Sequence, residues 1–139
     1  MDPKLLPVHQ QLIAAIDVFA TGDAGPYKDL WAHTADVSLM GAFGGRNVGW
    51  TQIGPRLDLA ANQYKASCWH VDELEVLATH AGADLAYIVW LETVSAISPD
   101  EEPLIRRRRA THVFHLDGPD WRIVHQHSDP LVDLTIPPG

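Results

Sequence analysis

The sequence predicts an α+β domain in which three N-terminal helices pack on a strongly bent antiparallel sheet. Apolar residues recur at helical spacing in the first half of the chain, and long segments rich in Val, Ile, Thr and aromatic residues fill the second half. Helices that precede a run of strands in this way are typical of helices packed on one face of a sheet. The chain has 139 residues and no internal repeat, so we expect one domain over residues 1–139.

The helical half contains three predicted helices. The segment 5–19 places apolar residues every three or four positions, and Gly22 follows as a residue that can adopt the left-handed C-terminal conformation. A short second helix is expected over 24–33. A third is expected over 51–65, and Thr51 is its predicted N-cap because a hydroxyl there can accept a hydrogen bond from the first turn.

A short hairpin is predicted between the second and third helices. It consists of a strand over 37–40, a glycine-rich turn over 41–47 and a return strand that begins over 48–50. The turn, GAFGGRN, lacks the Lys-Ser/Thr pair of a phosphate-binding loop, so its glycines are expected to permit a tight turn. Longer strands separated by turn-forming sequences are then predicted over 68–78, 85–97, 104–116 and 121–131.

Composition and charge argue against several classes of function. The formal net charge of −8 argues against a general nucleic-acid binder, because neutralising phosphates requires a basic surface. Arginines occupy 106–109, but alternation along a strand would divide them between two faces. The single cysteine, Cys68, excludes an intramolecular disulfide and a cysteine-based zinc cluster. Neither a membrane span nor a signal-peptide pattern is visible, so we expect a cytoplasmic protein without a membrane partner.

The C-terminal third contains the most distinctive pattern in the chain. Residues 109–130 have the sequence RATHVFHLDGPDWRIVHQHSDP. Together with the long helix, short helix, hairpin and third helix before it, this string resembles the nuclear transport factor 2-like superfamily. The most similar members are the SnoaL-like proteins and the association domain of calcium/calmodulin-dependent protein kinase II. The resemblance extends over roughly residues 5–131.

The resemblance implies a cone-shaped barrel with a pocket between the helices and the concave side of the sheet. The resemblance is more specific for the fold than for an activity, because the superfamily includes isomerases, cyclases, epoxide hydrolases, dehydratases and non-catalytic binding or assembly modules. It also implies pairing of two copies through the convex side of the sheet. The pocket arginines of the association domain correspond here to Val89, His112 and Ser128, which favours an apolar ligand over an anion.

Strand pairing predicts which side chains share a face of the sheet. If the strands pair from the ends of the loop 98–103, Glu92 lies opposite Arg109. Pairing across the turn 116–120 then places Arg109 opposite His127. The row Glu92–Arg109–His127 would either transfer protons or neutralise a buried dimer interface. The apolar residues predicted on the same convex face are Ile88, Trp90, Val113 and Ile123.

The opposite face is expected to line the pocket. It is apolar with a few polar groups, a composition typical of small-molecule sites. His112 is its titratable group, and such a histidine either acts in the pocket or packs as a core residue. Aromatic residues from the second helix and the hairpin either line the mouth or pack in the core. The predicted pocket residues are Trp31, Phe43, Trp50, Tyr87, Val89, His112, Phe114, Gln126 and Ser128.

These patterns leave two functions open. The first is a binding domain, non-catalytic or weakly catalytic, for a small apolar or aromatic molecule. The second is an isomerase, dehydratase or cyclase in which His112, Glu92, Arg109 or His127 transfers protons; in the predicted register no carboxylate lies on the pocket wall. No cofactor is expected, and no metal, because the histidine pair at 125 and 127 lacks a third ligand. A homodimer through the convex sheet face is expected.

Overall fold

Three helices and one six-stranded sheet form the domain, so the predicted α+β class is confirmed. A computed structural model describes residues 1–96, 104–135 and 137. A 3-10 turn over Pro3–Leu5 precedes the first helix. The helices are α1 (Leu6–Ala20), α2 (Gly25–Asp29) and α3 (Trp50–Ala66). The strands are β1 (Ser38–Gly41), β2 (Gly44–Val48), β3 (Trp69–Ala81), β4 (Leu85–Ala96), β5 (Leu104–Asp117) and β6 (Asp120–Pro130).

Helix α1 buries one apolar stripe and ends where the sequence predicts. Val8, Leu12 and Ala15 are buried at helical spacing. Gly22 follows the helix with a φ of 103°, a conformation that side-chain-bearing residues adopt at a cost. The predicted role of Gly22 is therefore confirmed.

The hairpin and the start of α3 differ from the prediction. Gly44 and Gly45 lie within β2 with φ values of 91° and 78°, so most of the predicted turn is strand. The return strand ends at Val48, and the chain enters α3 through Gly49, which has a φ of 85°. Thr51 is not the N-cap, because α3 begins at Trp50 and its N-cap is Gly49, whose positive φ turns the chain.

The sheet is ordered β2-β1-β6-β5-β4-β3. Strands β3 to β6 form the predicted antiparallel meander, and the β1–β2 hairpin joins it because β1 pairs in parallel with β6. Strands β2 and β3 are the two edges of the curved sheet. Among the described residues these edges do not pair with each other, so the sheet does not close into a barrel. The loop 98–103 and Ile97, from which the register was predicted, lie outside the described residues.

The register of the central strands is shifted by one residue from the predicted one. Glu92 lies opposite Arg108, not Arg109. In the next hairpin Leu116 pairs with Trp121, and a bulge leaves Val124 as an extra residue of β6. A one-residue shift exchanges the two faces of a strand, and a bulge restores the phase beyond it.

The shift reverses the predicted faces of β4. Ile88 and Trp90 point into the core, and both are fully buried against the helices. Ile123, before the bulge in β6, is also a core residue. The prediction that these three residues form the open convex face is wrong. Val113 remains on the convex side, where it is partly buried.

Candidate functional site

A cavity of about 110 Å³ lies between the concave face of the sheet, the three helices and the β1–β2 hairpin. Its walls are mainly apolar, and a few polar side chains project into it from the sheet and from α2 and α3. The apolar lining includes Ile16, Phe19, Leu39, Phe43, Leu57, Val71 and Val94. The polar lining consists of Tyr27, Asn47, Arg56, Tyr64, Glu92, Arg108, His112, Gln126 and Ser128.

His112 and Tyr27 form a buried hydrogen-bonded pair in the wall. Tyr27 belongs to α2, and its hydroxyl oxygen lies 2.7 Å from Nε2 of His112 on β5. Burial lowers the pKa of His112 to about 3, and the nearby His125 contributes a smaller part. Burial likewise raises the pKa of Tyr27. The pair is therefore uncharged at neutral pH, and His112 is not a general base of ordinary strength.

Arg108 places a guanidinium at the other side of the cavity. Its side chain is only 7% exposed, and Nη1 donates a hydrogen bond to the hydroxyl of Tyr64 on α3. The guanidinium carbon lies 5.2 Å from the centre of the Phe43 ring and 5.3 Å from that of Tyr64, within the range of a cation–π interaction. Burial raises the pKa of Tyr64. The Phe43 and Tyr64 ring centres are 5.9 Å apart, so Arg108 packs against two adjacent aromatic rings.

Glu92 is the carboxylate of the cavity. It lies opposite Arg108 in the sheet, and its Oε1 accepts a hydrogen bond of 2.9 Å from Nε1 of Trp90. Burial raises the pKa of Glu92, while the Trp90 hydrogen bond and the charge of Arg108 act in the opposite direction. A carboxylate with a raised pKa in a mainly apolar cavity is a stronger base than an ordinary carboxylate, so it can accept and return a proton.

The predicted Glu92–Arg109–His127 row does not exist. Arg109 lies on the convex face and forms a two-pronged ion pair with Asp129, with N–O distances of 2.8 and 2.7 Å. His127 is exposed on the same face. Asp129 lies in β6 opposite Arg109. The row fails because the register shift sends Glu92 and Arg109 to opposite faces.

A second polar cluster occupies the convex face. It is a shallow groove lined by Val89, Thr111, the Arg109–Asp129 pair and two histidines. Nδ1 of His125 lies 2.7 Å from the hydroxyl oxygen of Ser38. Burial and the neighbouring His127 lower the pKa of His125. Among the described residues, no group of three metal-ligating side chains is close enough to hold an ion.

The predicted pocket residues separate into three sets. Phe43, His112, Gln126 and Ser128 line the cavity. Trp31 and Phe114 are buried in the core, and Trp50 packs against the core and stacks on His33 with ring centres 3.9 Å apart. Tyr87 and Val89 lie on the convex face because of the register shift, so their prediction as pocket residues is wrong.

Several cavity residues were not predicted from the sequence. Arg56 and Tyr64 lie on α3, and Tyr27 on α2, and the sequence does not reveal which helical face meets the cavity. Glu92 and Arg108 were placed on the wrong face or left unassigned. The sequence does contain a signal for Arg108. Alternation along the strand divides the four arginines 106–109 between two faces, so two of them must point inward and be either buried or close to the end of the sheet.

A cavity between helices and the concave face of a curved sheet defines a class of pocket-containing α+β domains. The family model for the SnoaL-like domain matches residues 8–133 of the chain. The chain therefore belongs to the SnoaL-like domain family. No curated protein sequence matches the chain significantly.

Solved structures of low sequence identity share the fold. The CaMKII hub of S. rosetta superposes with a TM-score of 0.68 at 21% identity, covering 94% of this chain and 98% of that one. A candidate dehydratase of the NTF2-like family from Streptomyces avermitilis gives 0.70 at 16%, with coverages of 95% and 99%. An NTF2-like superfamily protein from Salmonella enterica gives 0.68 at 18%, with coverages of 98% and 96%. At these identities the similarity shows the fold alone.

Proposed function

We propose that this domain binds a small molecule with a ring-sized apolar body in the cavity. The main support is the cavity itself, which combines apolar walls with a few polar groups that converge from helices and sheet. One water molecule needs roughly 10–15 Å³ of such space, and an apolar cavity of about 150 Å³ holds benzene. A volume of about 110 Å³ with an open mouth therefore suits a single ring that projects toward solvent.

A thermal-shift and calorimetric screen of small aromatic and alicyclic acids, amides and ketones tests this proposal. Ala60 lines the cavity, so Ala60→Leu should fill part of it and abolish binding while the fold is kept. Ala66 is exposed near the end of the same helix, and Ala66→Leu is the matched control, which should bind as the unmodified protein does. If no ring compound binds, or if Ala60→Leu binds equally well, the proposal is wrong.

A second candidate function is proton transfer by Glu92. The observation that favours it is a carboxyl group with a raised pKa in the cavity wall, across from the Arg108 and Tyr64 donors that could stabilise a developing oxyanion. Arg109 and His127, predicted as possible catalytic groups, lie on the other face. His112 lines the cavity, but its lowered pKa makes it a hydrogen-bonding group and not a base.

Proton abstraction can be tested with a nitrobenzisoxazole, a carbon acid of suitable shape. Glu92 would take the ring C–H proton as the N–O bond breaks, which gives a coloured cyanonitrophenolate. Glu92→Gln should lower the rate by at least about 100-fold, because a positioned base contributes roughly 10²–10⁴-fold. Asp129→Asn on the convex face is the control. A Glu92→Gln variant as active as the unmodified protein would eliminate this candidate.

We further propose that two copies pair through the convex sheet face. Exposed Leu85, Tyr87 and Ile105 provide apolar area there, beside the partly buried Val113. Related structures described as association domains and hubs support self-association. No helix among the described residues is long and apolar enough to cross a membrane, and the cytoplasmic location stays a prediction.

Light scattering at micromolar concentration tests the homodimer. Val113→Glu should produce monomers, because it buries an unpaired charge in the proposed interface. Leu59→Glu, an exposed position on α3, is the control that should stay dimeric. A monomeric unmodified protein, or a dimeric Val113→Glu variant, would contradict the proposal.

A further inference from the structure

The charged groups of the cavity do not balance. Arg56 and Arg108 contribute two positive charges, and Glu92 contributes at most one negative charge. The remaining titratable groups of the wall, the Tyr27–His112 pair and Tyr64, are uncharged at neutral pH. The cavity therefore has an excess positive charge, in a protein whose formal net charge is −8.

Arg108 makes no salt bridge among the described residues, although the Glu92 carboxylate lies opposite it in the sheet. Its hydrogen bond goes to the neutral hydroxyl of Tyr64, and the adjacent rings of Phe43 and Tyr64 pack against it. Its neighbour on the other face, Arg109, is paired with Asp129 although it lies in solvent. A buried charge normally needs a counter-ion, because removing it from water costs several kcal/mol. In this strand the exposed arginine has a salt bridge and the buried one has none, which is the reverse of the arrangement that stability alone would favour.

Arg56 provides an independent observation. It enters the cavity from α3, and its Nη1 is buried without a hydrogen-bond partner among the described residues. Buried donors are normally satisfied, and an unsatisfied guanidinium nitrogen in a cavity wall indicates an acceptor from outside the protein, either water or a ligand. In the same cavity, Arg56 from a helix thus has a donor nitrogen without an acceptor, and Arg108 from the sheet has a neutral acceptor but no salt bridge among the described residues.

We infer that the ligand of this cavity is a small monocarboxylate with a ring-sized apolar body, whose carboxylate is bound by Arg108 and Arg56. This inference rests on the proposed binding function and specifies its ligand class. A carboxylate matches the planar donor geometry of guanidinium groups. A dianion such as a phosphonate is disfavoured because the Glu92 carboxylate lies opposite Arg108 and would repel the second charge. The apolar ring would occupy the space bounded by Phe19, Leu39 and Leu57.

Calorimetric titration of the full chain with benzoate, benzamide and phenylphosphonate near neutral pH tests the inference. Benzamide has the same shape as benzoate but lacks the charge and offers one acceptor oxygen in place of two. Benzoate should bind roughly 10- to 100-fold more tightly than benzamide, because hydrogen bonds to charged groups are the stronger class. Phenylphosphonate should bind more weakly than benzoate.

Substitutions of single arginines identify the binding groups. Arg108→Met and Arg56→Met should each weaken benzoate binding about tenfold or more and reduce the preference for benzoate over benzamide. Arg107→Met is the matched control, since Arg107 is exposed on the other face of the same strand. Circular dichroism checks that each variant is folded, and Arg56 is the more exposed site if Arg108→Met fails to fold.

The outcomes separate this inference from the proposed function. If benzamide binds as tightly as benzoate, the carboxylate inference is overturned and the proposed binding function stands. If benzoate is preferred but both arginine variants bind it normally, the assigned groups are wrong and the inference is overturned. If neither benzoate nor benzamide binds, and no neutral ring compound binds either, the proposed function fails with it.

Discussion

The buried Tyr27–His112 pair predicts a specific sensitivity of the fold to acid. His112 has a pKa of about 3 in the folded protein and one near 6.5 when unfolded. The unfolded chain therefore binds more protons between these values, so the free energy of unfolding falls as pH decreases through that window. Between about pH 7 and about pH 5 the expected loss from His112 is ~2 kcal/mol, at about 1.4 kcal/mol per pH unit below 6.5.

The double variant Tyr27→Phe with His112→Leu should remove this sensitivity. Replacing both partners by apolar groups of similar shape leaves no orphaned polar atom, so stability near neutral pH should change little. Urea unfolding at the two pH values measures the effect, and the unmodified protein should lose ~2 kcal/mol more than the double variant. His115→Leu, at an exposed position of the same strand, should keep the full acid sensitivity.

The comparison is a difference between variants because other groups also titrate. Burial lowers the pKa of His9 and His125, which adds to the loss, and raises the pKa of Glu92, which opposes it. These contributions remain in both proteins and cancel in the difference. Equal pH dependence in the unmodified protein and the double variant would refute the reasoning, because it would mean that the pKa of His112 is the same in the folded and unfolded chains.

Three other comparisons test the register, the backbone and a surface ion pair by urea unfolding. Trp90→Ala should lower the free energy of unfolding by about 3–5 kcal/mol because the ring is fully buried. Tyr87→Ala on the convex face should lower it by under about 1 kcal/mol. The opposite order would support the register predicted from the sequence. Gly49→Ala should lower the free energy of unfolding by about 1–3 kcal/mol, because Gly49 has a φ of 85° and a Cβ there would lie 3.3 Å from a backbone oxygen. Gly41→Ala is the control and should be tolerated, because a Cβ there meets no atom within 4 Å. Equal effects of the two variants would contradict this prediction. Arg109→Ala should change stability by under about 1 kcal/mol and leave benzoate binding intact, and a larger loss would indicate that its exposed ion pair is more than a surface contact.

The sequence was sufficient to predict the elements but not the faces of β4. Hydrophobic periodicity located α1, the four long strands and their turns, because these signals are local. In β4 both faces are apolar, with Tyr87 and Val89 on one side and Ile88 and Trp90 on the other, so alternation cannot distinguish inside from outside. The predicted register then depended on how the loop 98–103 closes, and an error of one residue reversed the strand.

Part of the prediction for the cavity did not depend on the register between β4 and β5. His112 was expected on the concave face and lines the cavity, since β5 alternates with buried even-numbered residues regardless of its partner. Gln126 and Ser128 also line it, because the bulge at Val124 corrects the phase of the last part of β6. The contributions of Arg56, Tyr64 and Tyr27 depend on helix packing against the sheet, which no local pattern in their own segments determines.

The bulge in β6 has a consequence for how genes encoding such domains can change in length. Val124 is one residue more than the antiparallel pairing requires, so deletion of its codon would straighten the strand and still leave Ile123 and Gln126 on the concave side. In contrast, deletion of a codon within β4 or β5 would move every following side chain of that strand to the opposite face of the sheet. Single-residue gaps among homologous sequences are therefore expected at this position and in the turns, where a change of length keeps the cavity wall in place.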